Sequence, residues 1–302
     1  MAGKQRVGFI GLGTMGKPMA KRVLLGGFPL TVYDIVKAPV EELASLGARA
    51  AASPKEVARA SDVVCTIVPN SPHVEQVILG KDGVMEGLRP GGIIVEMSTI
   101  EPTVTRKVAA EVVARGCRMI DSPVGKGMAE AAAGTLTVMV GGDESTLDEV
   151  RPILATMGDS IFHCGDIGAG ITTKVVNNLM ASVIIAAISE GLTLGVKGGV
   201  KVETLLEVIG TSGARSFHLT DTFPKRVLSG NFQPGFLMDL MHKDLSVITA
   251  TGSQLGVPLP VTNLCRELSL MARQRGLGRE DWTTLIKLYE EWAGVHVRLG
   301  QE

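Results

Sequence analysis

In the first half of the chain, short continuous apolar runs alternate with segments in which apolar positions recur every three or four residues. "RVGFI" (6–10) and "LTVYD" (30–34) are runs of the first kind, and between them Met15, Met19 and Val23 share one face of a helix predicted over 14–25. Helices near 38–46 and 54–60 and a short strand at 48–50 follow. The run "DVVCTIV" (62–68) lacks polar alternation, which predicts a strand buried on both faces. Further strands are predicted at "GIIVEMS" (92–98), "RMIDSPV" (118–124), "LTVMVGG" (136–142) and "SIFHCG" (160–165), with helices between them. Such alternation predicts an α/β fold, a doubly wound parallel sheet with helices on both faces. Beyond Gly168 the strand-like runs vanish. "KVVNNLMASVIIAAISEGLTLGVKGG" reads as one helix of about 25 residues, closed by Gly198 and Gly199. The expected division is an α/β domain over 1–168 and an all-α domain over 169–302, joined by that helix. A helix so long and so apolar around its circumference is expected to pack against a second subunit, giving a homodimer or homotetramer.

Composition changes the picture mainly by exclusion. A chain of 302 residues has room for two domains, and 37 glycines with only 4% aromatic residues suit Ala-, Val- and Leu-rich elements joined by tight turns. Lys and Arg number 30 against 31 Asp and Glu, for a net charge of −1. That balance leaves no basic field to gather phosphates, so neither nucleic acid nor a membrane surface is an expected partner. The most apolar segment, 183–188, is too short to span a bilayer by itself. Cys65, Cys117, Cys164 and Cys265 form no C-x-x-C pair, and the start of the chain runs directly into a predicted strand, so a reduced, cytoplasmic protein is expected. No histidine or cysteine spacing suggests a metal, and His163, His218 and His242 lack the nucleophile signature of a hydrolase.

The candidate chemistry begins at "GFIGLGTMG". Gly11, Gly13 and Gly16 form G-x-G-x-x-G between a strand and a helix: the first permits the tight turn, the second lets a diphosphate approach the backbone, and the third lets the helix pack closely. Thr14 and Met15 complete the turn, whose helix N-terminus offers amides to phosphate. Asp34 closes the next strand at the position that receives ribose hydroxyls and repels a 2′-phosphate, so NAD(H) is expected over NADP(H). Further on, "GDIGAGITTKVVNN" leads a Gly-rich loop into the long helix and places Lys174 and Asn178 on one helical face, with Asn177 beside them.

Six motifs in order make the chain resemble the β-hydroxyacid dehydrogenase family, that of 3-hydroxyisobutyrate dehydrogenase and tartronate semialdehyde reductase. They are "GFIGLGTMG", "VPN" (68–70), "MST" (97–99), "DSPV" (121–124) with "GTLTVMVGG", "GAGITTKVVNN" and "FLMDLMHKDL" (236–245). The resemblance implies that Lys174 is the catalytic acid/base and that Asn178, with Asn177, holds the substrate. It also implies that Val68, Pro69, Asn70, Thr99, Phe236 and Lys243 border the cofactor. Where most of the family carries Ser-Gly-Gly, this chain has Gly125, Lys126 and Gly127 after Ser122, which alters the usual contact to the substrate carboxylate. A cation in this loop is similar to the sulfolactaldehyde reductase branch, which reads its substrate's sulfonate with an arginine there. The implied substrate is a short anionic aldehyde or its hydroxy acid, with 3-hydroxyisobutyrate or tartronate semialdehyde as alternatives. A non-catalytic nucleotide-binding scaffold and an imine reductase are the rival readings of the same architecture.

Overall fold

The computed structural model describes residues 4–300 and divides into two compact units, Met1–Lys174 and Val175–Glu302. In the first unit, β1 (Val7–Ile10), β2 (Leu30–Tyr33), β3 (Arg49–Ala50), β4 (Val63–Thr66), β5 (Ile93–Glu96) and β6 (Arg118–Asp121) are parallel, in the spatial order β3-β2-β1-β4-β5-β6. Val7 is level with Leu30 and Val63, Val63 with Ile93, and Ile93 with Arg118. Because β1, β2, β4, β5 and β6 start level and each has four residues, they also end level. Tyr33, Ile10, Thr66, Glu96 and Asp121 form one row at the carboxyl edge of the sheet.

Helices α1 (Gly16–Leu25), α2 (Lys37–Ser45) and α7 (Glu144–Leu154) close one face over Phe9, Val32, Cys65 and Val95, while α3 (Pro54–Arg59), α4 (Ser71–Leu79) and α5 (Pro102–Ala114) close the other over Ile10, Val64 and Ile94. Alternate residues of each central strand thus enter opposite cores, which is why these runs show no polar alternation. Burial pushes the Cys65 thiol up to about 12, so it is an inert core residue.

The expected parallel sheet is mixed. The predicted strand over 118–124 breaks at Ser122 and Pro123 into β6 and the two-residue β7 (Val124–Gly125), because proline has no N–H to give a ladder. After the short α6 (Met128–Ala133), β8 (Leu136–Gly141) runs antiparallel to both, and β9 (Gly158–Gly165) runs parallel to β8. The connection through α6 is too short for the crossover that a parallel return requires.

The long helix α8 spans Ala169–Lys197, with Gly199 at φ +85 beyond its end. The two compact units part within it, after Lys174, so its first turn goes with the sheet. Its apolarity extends well past 183–188: by length and composition alone α8 is long and apolar enough to cross a membrane. In the second unit this helix contributes Val175, Ile185, Ala186 and Leu192 to a core with α9 (Val202–Gly210), α10 (Met238–Gln254), α11 (Pro260–Gln274) and α12 (Ile286–Ala293). Its buried Ser189 and Thr193 hydroxyls donate to the carbonyls of Ile185 and Ser189 (2.8 and 2.7 Å), so they enter that core satisfied.

Candidate functional site

The turn from β1 to α1 is built as its glycine spacing requires. Gly11 has φ +92, and a Cβ there would lie 2.0 Å from the Ile67 carbonyl; one on Gly16 would lie 1.9 Å from the Gly11 carbonyl. Both glycines let backbone segments touch. Gly13 differs: a Cβ there would meet nothing within 4 Å, so its missing side chain leaves open space above the turn. Exposed Gly13 and Thr14 and half-buried Met15 border that space, and no side chain caps α1. An uncapped helix N-terminus beside an open cradle fits a diphosphate.

Asp34 is half-buried at the end of β2. Its Oδ2 accepts the Leu12 N–H (2.5 Å) and its Oδ1 the Val36 N–H (2.7 Å), so the carboxylate braces the glycine turn. Each oxygen keeps a lone pair for a ribose hydroxyl. Ile35, 85% exposed, and Val36 stand beside it. The loops after β4 and β5 are tied together: Val68 N–H donates to Ser98 Oγ (2.8 Å), and Ser98 N–H to Glu96 Oε1 (2.8 Å). Pro69 is exposed and Thr99 half-buried on these loops. Asn70 caps α4, its Oδ1 accepting the His73 N–H (3.3 Å).

In the β6–β7 segment Ser122 is fully buried and its hydroxyl lacks a hydrogen-bond partner. Gly125 is buried in the ladder opposite Thr137. Lys126 is exposed and has φ +73, the left-handed region that glycine adopts without strain. Its Nζ bonds the Thr135 carbonyl (2.5 Å) and reaches Asp159 Oδ1 (3.5 Å). Gly127 opens α6, with its N–H on Glu130 Oε2 (3.0 Å).

Lys174 is half-buried in the second turn of α8, one turn before the buried Asn178. In the second unit Asn177 Nδ2 donates to Asn178 Oδ1 (3.0 Å), Asn178 Nδ2 to Asp244 Oδ2 (2.7 Å), and Lys243 Nζ to Asp244 Oδ1 (3.1 Å). This chain fixes which way the Asn178 amide faces. Phe236 meets Trp282 edge-on at 5.2 Å, and the N–H groups of Gly235 and Phe236 both donate to Asp281 Oδ2 (2.8 and 3.1 Å). Asp244 and Asp281, 5% and 1% exposed, therefore order two groups of expected site residues. Their sequence signal was slight: one acidic residue in "MHKDL" and one in "GREDW". His242 Nδ1 lies 2.8 Å from Ser269 Oγ, but that serine is fully buried and donates to the Arg266 carbonyl (2.6 Å). The pair joins α10 to α11 and offers no nucleophile.

Residues 6–165 match the NAD-binding domain of 6-phosphogluconate dehydrogenase, and residues 168–289 match the NAD-binding domain of NADP-dependent 3-hydroxyisobutyrate dehydrogenase. The chain is 42% identical over 296 residues to 2-(hydroxymethyl)glutarate dehydrogenase of Eubacterium barkeri, covering 98% of each chain. It is 36% identical over 293 residues to 3-sulfolactaldehyde reductase of Escherichia coli strain K12, covering 97% of this chain and 98% of that one. Among solved structures, Mycobacterium tuberculosis 3-hydroxyisobutyrate dehydrogenase with L-serine superposes with a TM-score of 0.89 at 30% identity, over 95% of this chain and 99% of that one.

Proposed function

The chain belongs to the β-hydroxyacid dehydrogenase family, NAD-dependent oxidoreductases acting on CH–OH, and on that premise we propose that it reduces a short aldehyde carrying a terminal anion, with NADH, to the corresponding hydroxy acid. The carrying observation is the placement of Lys174 and Asn178 one turn apart on α8, with the Asn178 amide oriented by Asp244. The nicotinamide cofactor supplies the hydride when bound. Lys174 donates a proton to the aldehyde oxygen as it gains charge, and in the reverse direction the neutral amine accepts the alcohol proton. Asn178 holds the substrate beside it.

The anion is the finer part of the proposal and rests on Lys126. Its bonds to Thr135 and Asp159 are exposed and therefore weak, so the side chain can leave them for a substrate sulfonate or carboxylate at small cost. The relatives act on 2-(hydroxymethyl)glutarate and 3-sulfolactaldehyde, both of which carry an anion away from the reacting carbon. The test is NADH oxidation with 3-sulfolactaldehyde, 2-formylglutarate, methylmalonate semialdehyde, tartronate semialdehyde, succinic semialdehyde and propanal. Lys174→Ala should retain NADH binding while kcat falls about 10²–10⁴-fold, the scale of losing a positioned proton donor. A variant within threefold of wild type would remove Lys174 from the chemistry.

A further inference from the structure

Asp121 has no part in the proton transfer proposed for Lys174, yet this carboxylate occupies a tightly constrained place in the first unit. It ends β6 fully buried. Its Oδ1 accepts the Gly168 N–H and its Oδ2 the Ile171 N–H, both at 2.6 Å. These amides lie at the start of α8, where the first turn has no preceding carbonyls to accept them. A side chain from a distant strand thus does the work of an N-cap. Glycines clear the approach: a Cβ on Gly141 would lie 2.4 Å from Asp121 Oδ1, and one on Gly170 would lie 2.8 Å from Oδ2 and 2.3 Å from the Met139 carbonyl. Gly168 turns into the helix at φ +90. Lys174 follows Ile171 by one helical turn.

We propose that Asp121 is a positioning residue for Lys174: by accepting the Gly168 and Ile171 amides it sets the depth and rotation of the first turns of α8, and so the point at which Lys174 delivers its proton. The inference rests on the Lys174 reading above. Burial pushes the Asp121 carboxyl up to about 6, against the two amides and Arg106, which pull it down. The charged groups facing it from the packed elements are Glu96, its in-register neighbour on β5, and Arg106 on α5; β8 presents Gly141. Above about pH 6 the ionised carboxylate accepts both amides. Below it, the added proton makes one oxygen a donor facing an N–H, and the anchor loosens. Lys174 acting as an acid only becomes more protonated in that direction, so an acid-side fall in kcat must come from another group.

Asp121→Asn preserves shape but presents an NH₂ to one of the two amides. Reduction of 3-sulfolactaldehyde and succinic semialdehyde is measured from pH 5 to 8 for both proteins. The expected result is a kcat lower by roughly 10–100-fold, with KM for NADH within about twofold, since a small misplacement of a catalytic group costs on this scale. Burial pushes the Asp121 carboxyl up to about 6, so wild-type kcat should fall on the acid side of that value, and the variant should lack the fall. A variant with kcat within twofold of wild type, or with the same acid-side fall, overturns the proposal. Should the variant not fold, amide hydrogen exchange on the wild type reads the same anchor. Gly168 and Ile171 should be protected at pH 7.5 and lose at least roughly tenfold of that protection at pH 5, after correction for intrinsic rates; equal protection at both overturns it. If the wild type reduces neither aldehyde, the site reading fails, whereas the exchange measurement still decides whether Asp121 holds α8.

Discussion

Lys126 carries a backbone conformation at odds with its side chain. A non-glycine residue at φ +73 costs about 1 kcal/mol, and its exposed contacts to Thr135 and Asp159 return little. Strain kept at a loop of this kind points to use. Lys126→Gly is the appropriate variant, since glycine adopts that φ freely, and thermal stability should hold within about 1 kcal/mol. If the ammonium reads an anion, kcat/KM for 3-sulfolactaldehyde falls roughly 10–150-fold, and that for propanal holds. Equal losses on both substrates would mean that the side chain only shapes the loop. Lys126 was legible because it departs from a motif. Asp121 was not, although "RMID" and "LTVYD" both end an apolar strand on an aspartate: the amides that Asp121 accepts belong to Gly168 and Ile171, and no local pattern connects residues so distant in the chain.

At the scale of elements, the strand–turn–helix of β1 and α1 makes two glycines of one motif testably different. Gly16→Ala drives a Cβ to 1.9 Å from the Gly11 carbonyl, so it should lower both the melting temperature and NADH affinity as α1 shifts outward. Gly13→Ala meets nothing in the protein. It should leave the melting temperature unchanged and weaken NADH roughly tenfold or more, because its methyl occupies the diphosphate's approach. Calorimetric melting and NADH titration of both variants check this, and a Gly13→Ala protein that binds NADH like wild type would place the diphosphate elsewhere. Strand positions were legible to within a residue or two, since burial on both faces writes itself into composition. The break between β6 and β7 was foreshadowed by Pro123, but the antiparallel turn of β8 depends on where a short connection can reach.

For the whole molecule, cofactor binding within the first unit should register as stability. NADH at about 100 times its Kd adds ~2.7 kcal/mol to the folded state, a rise of about 5 °C in melting temperature. NADPH should give less, because its 2′-phosphate would face Asp34. Asp34→Asn keeps an acceptor for Leu12 or Val36 while removing charge, so it should narrow the difference; an unchanged NADH-to-NADPH ratio would assign the preference to another group. The sequence by itself determined the α/β and helical halves, the glycine cradle, Asp34 and the pairing of Lys174 with Asn178 on one helical face. All of these follow from periodicity and motif spacing along the chain. Only the tertiary structure decided that the carboxyl edge of the sheet ends level, that Asp121 receives the start of α8, that Asp244 and Asp281 orient Asn178 and Phe236, and that α8 belongs partly to each unit. Those contacts join residues far apart in the chain, and hydrogen bonds between buried groups form only where packing has already brought their elements together.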